Sequence, residues 1–199
     1  MSVSFLQRHP AVKDGLGILF FVASVAVGTL FINTFIFRTF SVVGPSMEKT
    51  MYTGDRLIVN RLAVTATQLQ NKEYIPERGQ VIVFKNPNYT VGSDDEYIVK
   101  RVIAFPGERV VLENGVYTVI NDEHPDGFNP DDANRGEPGK PTSGSVDVTV
   151  PGGSLFVSGD HREGNFSFDS RNGLGYVPFY DVVGPVGVRI WPLNGIRTF

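Results

Sequence analysis

No cysteine occurs in the 199 residues of this chain, which excludes disulfides, thiol catalysis and cysteine-ligated zinc. It does not decide compartment, because exported proteins commonly manage without disulfides. Blocks of like charge are missing too. The 18 Lys and Arg residues and 21 Asp and Glu residues are scattered, for a net charge of −3. No basic stripe with interleaved aromatics offers a footing for nucleic acid. Histidine is scarce, with only His9, His124 and His161. There is no internal repeat, and the length allows one domain with an appendage.

One feature is abundant where charge is absent. Residues 15–37 carry no charged side chain, and as a helix they would extend roughly 34 Å at about 1.5 Å per residue. That crosses a bilayer core of about 30 Å. A cleaved secretory signal has a shorter apolar core and a small-x-small cleavage site. Here the run is longer and closes on Phe-Ile-Phe-Arg-Thr-Phe, so an uncleaved membrane anchor is the better reading. Arg8 and Lys13 precede it while Arg38 and Lys49 follow it, so charge asymmetry does not set its orientation. No later segment is apolar enough to span again. The expected division is residues 1–14 as an N-terminal tail, 15–37 as a transmembrane helix and 38–199 as one domain on a single side of the membrane.

That domain reads as mainly β. Short β-branched or aromatic runs occupy 39–43, 56–60, 80–84, 97–105, 109–112, 116–120, 146–150, 154–157 and 186–191. Turn signals rich in Gly, Pro, Asn and Asp separate them, and Glu113-Asn114-Gly115-Val116 predicts a hairpin. Many short strands at this spacing predict packed antiparallel sheets. Residues 63–74 form the one later stretch suited to a short helix or an irregular excursion. Residues 113–150 read as an insertion, a hairpin and loop set on the main domain. Within it, 121–145 are rich in Asp, Asn, Gly and Pro. They lack the alternate-position ligands and glycine of a calcium hand and read as a solvated loop.

Two residues carry the chemistry. Ser46 lies in Gly44-Pro45-Ser46-Met47 and Lys100 in Tyr97-Ile98-Val99-Lys100-Arg101-Val102. A serine hydroxyl is a poor nucleophile until a base takes its proton, and a desolvated lysine can be that base. A free lysine titrates near 10.4 and is protonated at neutral pH. Apolar surroundings destabilise the ammonium and bring the value down. Period-two alternation would set Phe40, Val42, Gly44 and Ser46 on one face, a row suited to holding an extended peptide by strand addition.

Four runs in order after the apolar segment, GPSMEKTM, TGDRLIVNRL, YIVKRVIAFPGE and SGDHREGNFSFDSR, resemble the conserved boxes of the type I signal peptidases. The resemblance implies that family's β fold and its hydrolase activity, removal of signal peptides from exported preproteins after a small-x-small motif. Ser46 matches the nucleophile and Lys100 the general base, with no metal or cofactor implied. Ser167 matches the serine that orients the lysine, and the Ser46 backbone N–H matches an oxyanion donor. Phe40, Val42, Gly44, Pro45, Met47 and Val99 are expected to line the substrate pockets. Asp55, Arg101, Asp160, Arg162, Asp169 and Arg171 match supporting positions of the boxes. The implied partners are preproteins and membrane lipid, with the catalytic domain on the extracytoplasmic side and the amino end inside.

The chain departs from the pattern at Lys49, where proline is usual, at Glu108 for Asp, and at His161 for Asn. Glu163 and Gly164 lengthen the last box. A Ser-His-Asp arrangement through His161 and Asp160 is the competing mechanism. Among functions, the rivals are a serine–lysine peptidase dedicated to one substrate, as in pilus maturation, and an inactive anchored β module that binds peptides.

Overall fold

The computed structural model describes residues 9–93, 95–132, 134 and 138–199. Residues 1–8 of the expected tail, and 133 and 135–137 of the expected loop, lie outside the described residues. Helix α1 runs over Pro10–Phe31 and continues as a π-helical stretch over Ile32–Ile36. Proline near the first turn suits a helix start, since its missing N–H would be unpaired there anyway. From Gly15 onward the helix is uncharged on every face, and its hydroxyl at Ser24 donates back to the Phe20 carbonyl at 2.8 Å, so that polar group needs no outside partner. Within Ala11–Ile36 the most apolar 18-residue stretch has a mean hydropathy of 2.3, and no residue of that stretch is buried. The structure shifts both expected ends. Helical hydrogen bonding tolerates Lys13 and Asp14 and begins five residues early, at Pro10 rather than Gly15. Phe37, expected to end the helix, is extended at φ −148° and opens a strand.

That strand is β1, Phe37–Ser41. It is followed by β2, Arg56–Asn60, the short helix α2, Leu62–Leu69, and β3, Val81–Lys85. Next come β4, Tyr97–Ala104, β5, Arg109–Glu113, and β6, Val116–Ile120. The chain then forms β7, Val146–Thr149, β8, Ser154–Ser158, β9, Val177–Pro178, β10, Val182–Trp191, and β11, Arg197–Thr198. The main sheet has the order β1-β2-β10-β3-β4-β8-β9, with β11 on β10, and every pair is antiparallel. The long β10 pairs with β3 near its start and β2 near its end. Irregularities at Val182/Gly184 and Val186/Val188 bend it, as bulges do, and the sheet curls.

β3 is buried on both faces, which explains its unbroken apolar run. Val81 and Val83 pack with Val42, Met47, Leu57 and Val59, while Ile82 and Phe84 pack with Val102, Leu155 and Val157. A second sheet, β6-β5-β7, sits on a third cluster that includes Ile103, Leu112, Tyr117 and Phe156. The hairpin at Asn114-Gly115 takes φ of 51° and 79°, the double left-handed turn that Asn-Gly favours. This sheet already begins at Arg109, four residues before the expected insertion boundary.

The loop after β6 departs from a purely solvated reading. Phe128 bridges to Val119, and Thr142 is buried. Asp131 reaches the guanidinium of Arg162, which is 0% exposed. Few apolar residues are needed here because a buried cation supplies the anchorage.

Candidate active site

Ser46 follows β1 on a tight turn. Gly44 has φ of 88°, a left-handed conformation that glycine adopts without the Cβ penalty. The strand therefore ends before Ser46, and the expected alternation of Phe40, Val42, Gly44 and Ser46 on one face breaks at Gly44. Several bonds hold the turn. The Gly44 N–H donates to Thr53 Oγ1 at 3.1 Å, the Glu48 N–H to the Pro45 carbonyl at 3.0 Å, and the Met51 N–H to the Met47 carbonyl at 2.8 Å. The His161 N–H donates to the Ser46 carbonyl at 3.1 Å. Met47, expected in a substrate pocket, is instead 0% exposed in the core. Its side chain pins the turn from beneath.

Lys100 comes from the interior strand β4. Its register against Ile82 of β3, and the β4 pairing with β8 that sets Arg101 opposite Ser158, bring its amine to the turn. Nζ lies 2.8 Å from Ser46 Oγ and also donates to the Val99 carbonyl at 2.9 Å. Lys100 is 3% exposed. Burial pushes its pKa down from 10.5 to about 8, and the carboxylates of Asp169, Asp160 and Asp95 only partly oppose that. A neutral amine at this distance can accept the hydroxyl proton.

Ser167 is also fully buried, but its Oγ has no hydrogen-bond partner among the described residues. The expected bond from Ser167 to the lysine amine is absent, because the amine is directed to Ser46 and the Val99 carbonyl. Ser167 still adjoins the site. A Cβ placed on Gly159 would meet Ser167 Oγ at 2.1 Å and the Ser46 carbonyl oxygen at 2.4 Å, so only glycine allows this approach.

The supporting residues form a buried ionic frame. Arg101 donates through Nε to Asp160 at 2.8 Å and through Nη1 to the Gly79 carbonyl at 2.6 Å, and Thr50 also donates to Asp160. The Asp169 carboxylate accepts the Gly159 N–H at 2.9 Å and Arg171 Nε at 3.2 Å. Arg171 donates onward to the Arg162 carbonyl at 2.6 Å. Arg162 donates to the Gly159 carbonyl at 2.8 Å and to Asp131. Asp55 accepts from Arg189 at 2.9 Å. Each ion is paired, as burial requires.

His161 is drawn to this frame and to the turn backbone rather than to the Ser46 hydroxyl. Its Nδ1 is 3.1 Å from the Pro45 carbonyl and 3.5 Å from Glu48, and its ring stacks on Phe166 at 4.7 Å. No bond joins its ring to Ser46 Oγ among the described residues. His124 stacks on Phe128 at 4.9 Å, in the insertion. Among the described residues no three His, Asp or Glu side chains converge as metal ligands.

A cleft of about 520 Å³ leads to the pair, lined by Phe40, Val42, Gly44, Pro45 and Val99. Sequence reasoning missed part of its wall. Tyr97 and Ile98, Asp95 and Glu96, and the exposed rings of Phe166 and Phe168 line it too. Period two along β4 offered a signal for Tyr97, which shares the Val99 face. Nothing local marked Phe166, which reaches the cleft on the lengthened last box.

The signal peptidase family, peptidase S26, matches residues 15–191. Signal peptidase I of Bacillus caldolyticus is 32% identical over 180 residues, covering 87% of this chain and 89% of that protein. Signal peptidase I of Leptolyngbya laminosa is 32% identical over 173 residues, covering 82% and 73%. The crystal structure of a signal peptidase I from Enterococcus faecalis V583 is 24% identical and covers 57% of this chain and 98% of that one, with a TM-score of 0.42. The family match and the relatives' identities make the protein a serine endopeptidase, a hydrolase of peptide bonds. The chain is a member of the signal peptidase S26 family.

Proposed function

We propose that the protein is a membrane-tethered endopeptidase that removes signal peptides from exported preproteins through a Ser46/Lys100 dyad. The carrying observation is the 2.8 Å approach of a buried amine to Ser46 Oγ. Neutral Lys100 takes the hydroxyl proton as Ser46 attacks the scissile carbonyl. The Ser46 N–H faces the developing oxyanion, where such donors are worth several kcal/mol. Lys100 then returns the proton to the leaving amine, and water resolves the acyl-enzyme. An ammonium has three donors. Two are directed to Ser46 and Val99, and Ser167 takes the third as the lysine shifts during turnover.

Phe40, Val42 and Val99 give the cleft shallow apolar walls that suit small side chains at −1 and −3 of the cleavage site, with Gly44 and Pro45 beside the scissile bond. Ala11–Ile36 crosses the membrane. Because signal-peptide cleavage sites emerge on the outer side, the β domain lies outside and the amino end is cytoplasmic. The test is preprotein processing in membranes by Ser46→Ala and Lys100→Ala, each expected to abolish cleavage with the fold retained. Normal processing by either variant rejects the dyad.

A further inference from the structure

Two arginines lie behind the part of the cleft wall formed by Phe40 and Tyr97. Arg38 stands opposite Val59 in the β1–β2 register, and Arg61 follows the end of β2 as the cap of α2, near enough for the Arg38 charge to act on it. The backbone there is tied down. The Arg61 N–H donates to the Ile36 carbonyl at 2.8 Å, and Thr65 Oγ1 to the Phe35 carbonyl at 2.9 Å. The Arg38 guanidinium lies 5.1 Å from the centroid of the Phe40 ring and 4.5 Å from that of Tyr97, and donates to the Tyr97 hydroxyl at 3.2 Å.

Neither arginine has a carboxylate partner among the described residues. The Nε of Arg61 is buried with no hydrogen-bond partner among the described residues. Leaving a buried donor unmade is costly, and a like charge beside it adds to that. Burial first, and then the positive charge of Arg38, hold the Arg61 guanidinium below its ordinary value. An anion between the two side chains would relieve both penalties.

The surroundings narrow which anion. The pair lies where the apolar segment ends at Ile36. Phe35 and Phe37 are exposed there, and α2 adds exposed Leu62 and Leu69. An apolar surface next to unpaired cations is the pattern of the headgroup boundary of a bilayer. Guanidinium forks match phosphate oxygens two at a time. We propose that Arg38 and Arg61 bind the phosphate of an anionic membrane lipid, whose acyl chains lie along Phe35, Phe37 and Leu62. This rests on the reading of Ala11–Ile36 as a membrane span. Because Arg38 stacks on two rings of the cleft wall, a bound headgroup also steadies that wall.

The full chain, extracted in mild detergent with equal phosphatidylglycerol and phosphatidylcholine, tests this by native mass spectrometry. The wild type is expected to retain phosphatidylglycerol about fivefold over phosphatidylcholine, the scale of one arginine at a charged membrane surface. Arg61→Gln should lose that preference, and Arg61→Lys, which keeps the charge without the fork, should keep part of it. Equal preference in the wild type and Arg61→Gln overturns the site. Displacement of the lipid by millimolar inorganic phosphate overturns the lipid assignment in favour of a free anion. Alkaline carbonate extraction separates this from the anchor. Release of the wild type from membranes would fail the span, whereas retention of both proteins leaves the lipid readout to decide.

Discussion

Under the proposed dyad, the depressed pKa of Lys100 sets how activity depends on pH. With a value of about 8, roughly a tenth of the amine is neutral at pH 7, against about three in ten thousand for an ordinary lysine. The two differ by about 300-fold, equivalent to roughly 3 kcal/mol supplied by burial. Deprotonation makes the base, so kcat/KM should rise with pH and level off above about 8. Asp95 sharpens the test, because it lines the cleft, is exposed and favours the ammonium. Asp95→Asn should therefore move the rise to lower pH, and its gain should fade above the plateau. The assay is cleavage of a fluorogenic peptide bearing a small-x-small site between pH 5.5 and 9.5. His161→Ala serves as the control and should keep the midpoint of the wild type. A midpoint near 6.5 that disappears in His161→Ala would refute the lysine base and reinstate the histidine. A profile flat from pH 6 to 9 would refute the claim that Lys100 titrates in this range.

Two further outcomes test the frame. Gly159→Ala places a Cβ against Ser167 Oγ and the Ser46 carbonyl; it should cost about 1–3 kcal/mol of stability by overpacking and reduce peptide cleavage sharply. Measured melting and kcat together check it, and wild-type values in both would show that the approach is looser. Asp131→Ala leaves the guanidinium of Arg162, 0% exposed, without its carboxylate. Urea denaturation should register a loss of about 3–5 kcal/mol, the usual cost of breaking a buried pair from one side. A change under about 1 kcal/mol would return the loop to a solvated surface.

Local periodicity served well where strands are regular. The runs at 56–60 and 116–120 coincide with β2 and β6, and the Asn114-Gly115 turn joins β5 to β6. It failed where a long-range contact decides. β10 starts at Val182 rather than Val186, because Gly184-Pro185 reads as a break although the strand continues past it against β3. β1 occupies Phe37–Ser41 rather than 39–43, since its pairing with β2 begins where the helix stops. β9 and β11 have two residues each, too few for any pattern. Met47 looks like a pocket residue beside the nucleophile, and only the turn's direction sends it into the core.

The sequence by itself determined the apolar segment, the β-rich remainder and the reactive residue types, because hydropathy, β-branching and turn chemistry act over a few neighbouring residues. It determined the family as well, through boxes whose order survives in the chain. Tertiary structure alone decided that Ser46 and Lys100, 54 positions apart, come within 2.8 Å, and that burial lowers the pKa of Lys100. It also recruited Asp131 to Arg162 across 31 positions. Proton transfer and ion pairing fall off within a few ångströms, and those distances are set by strand register and burial, which no local window of the chain contains.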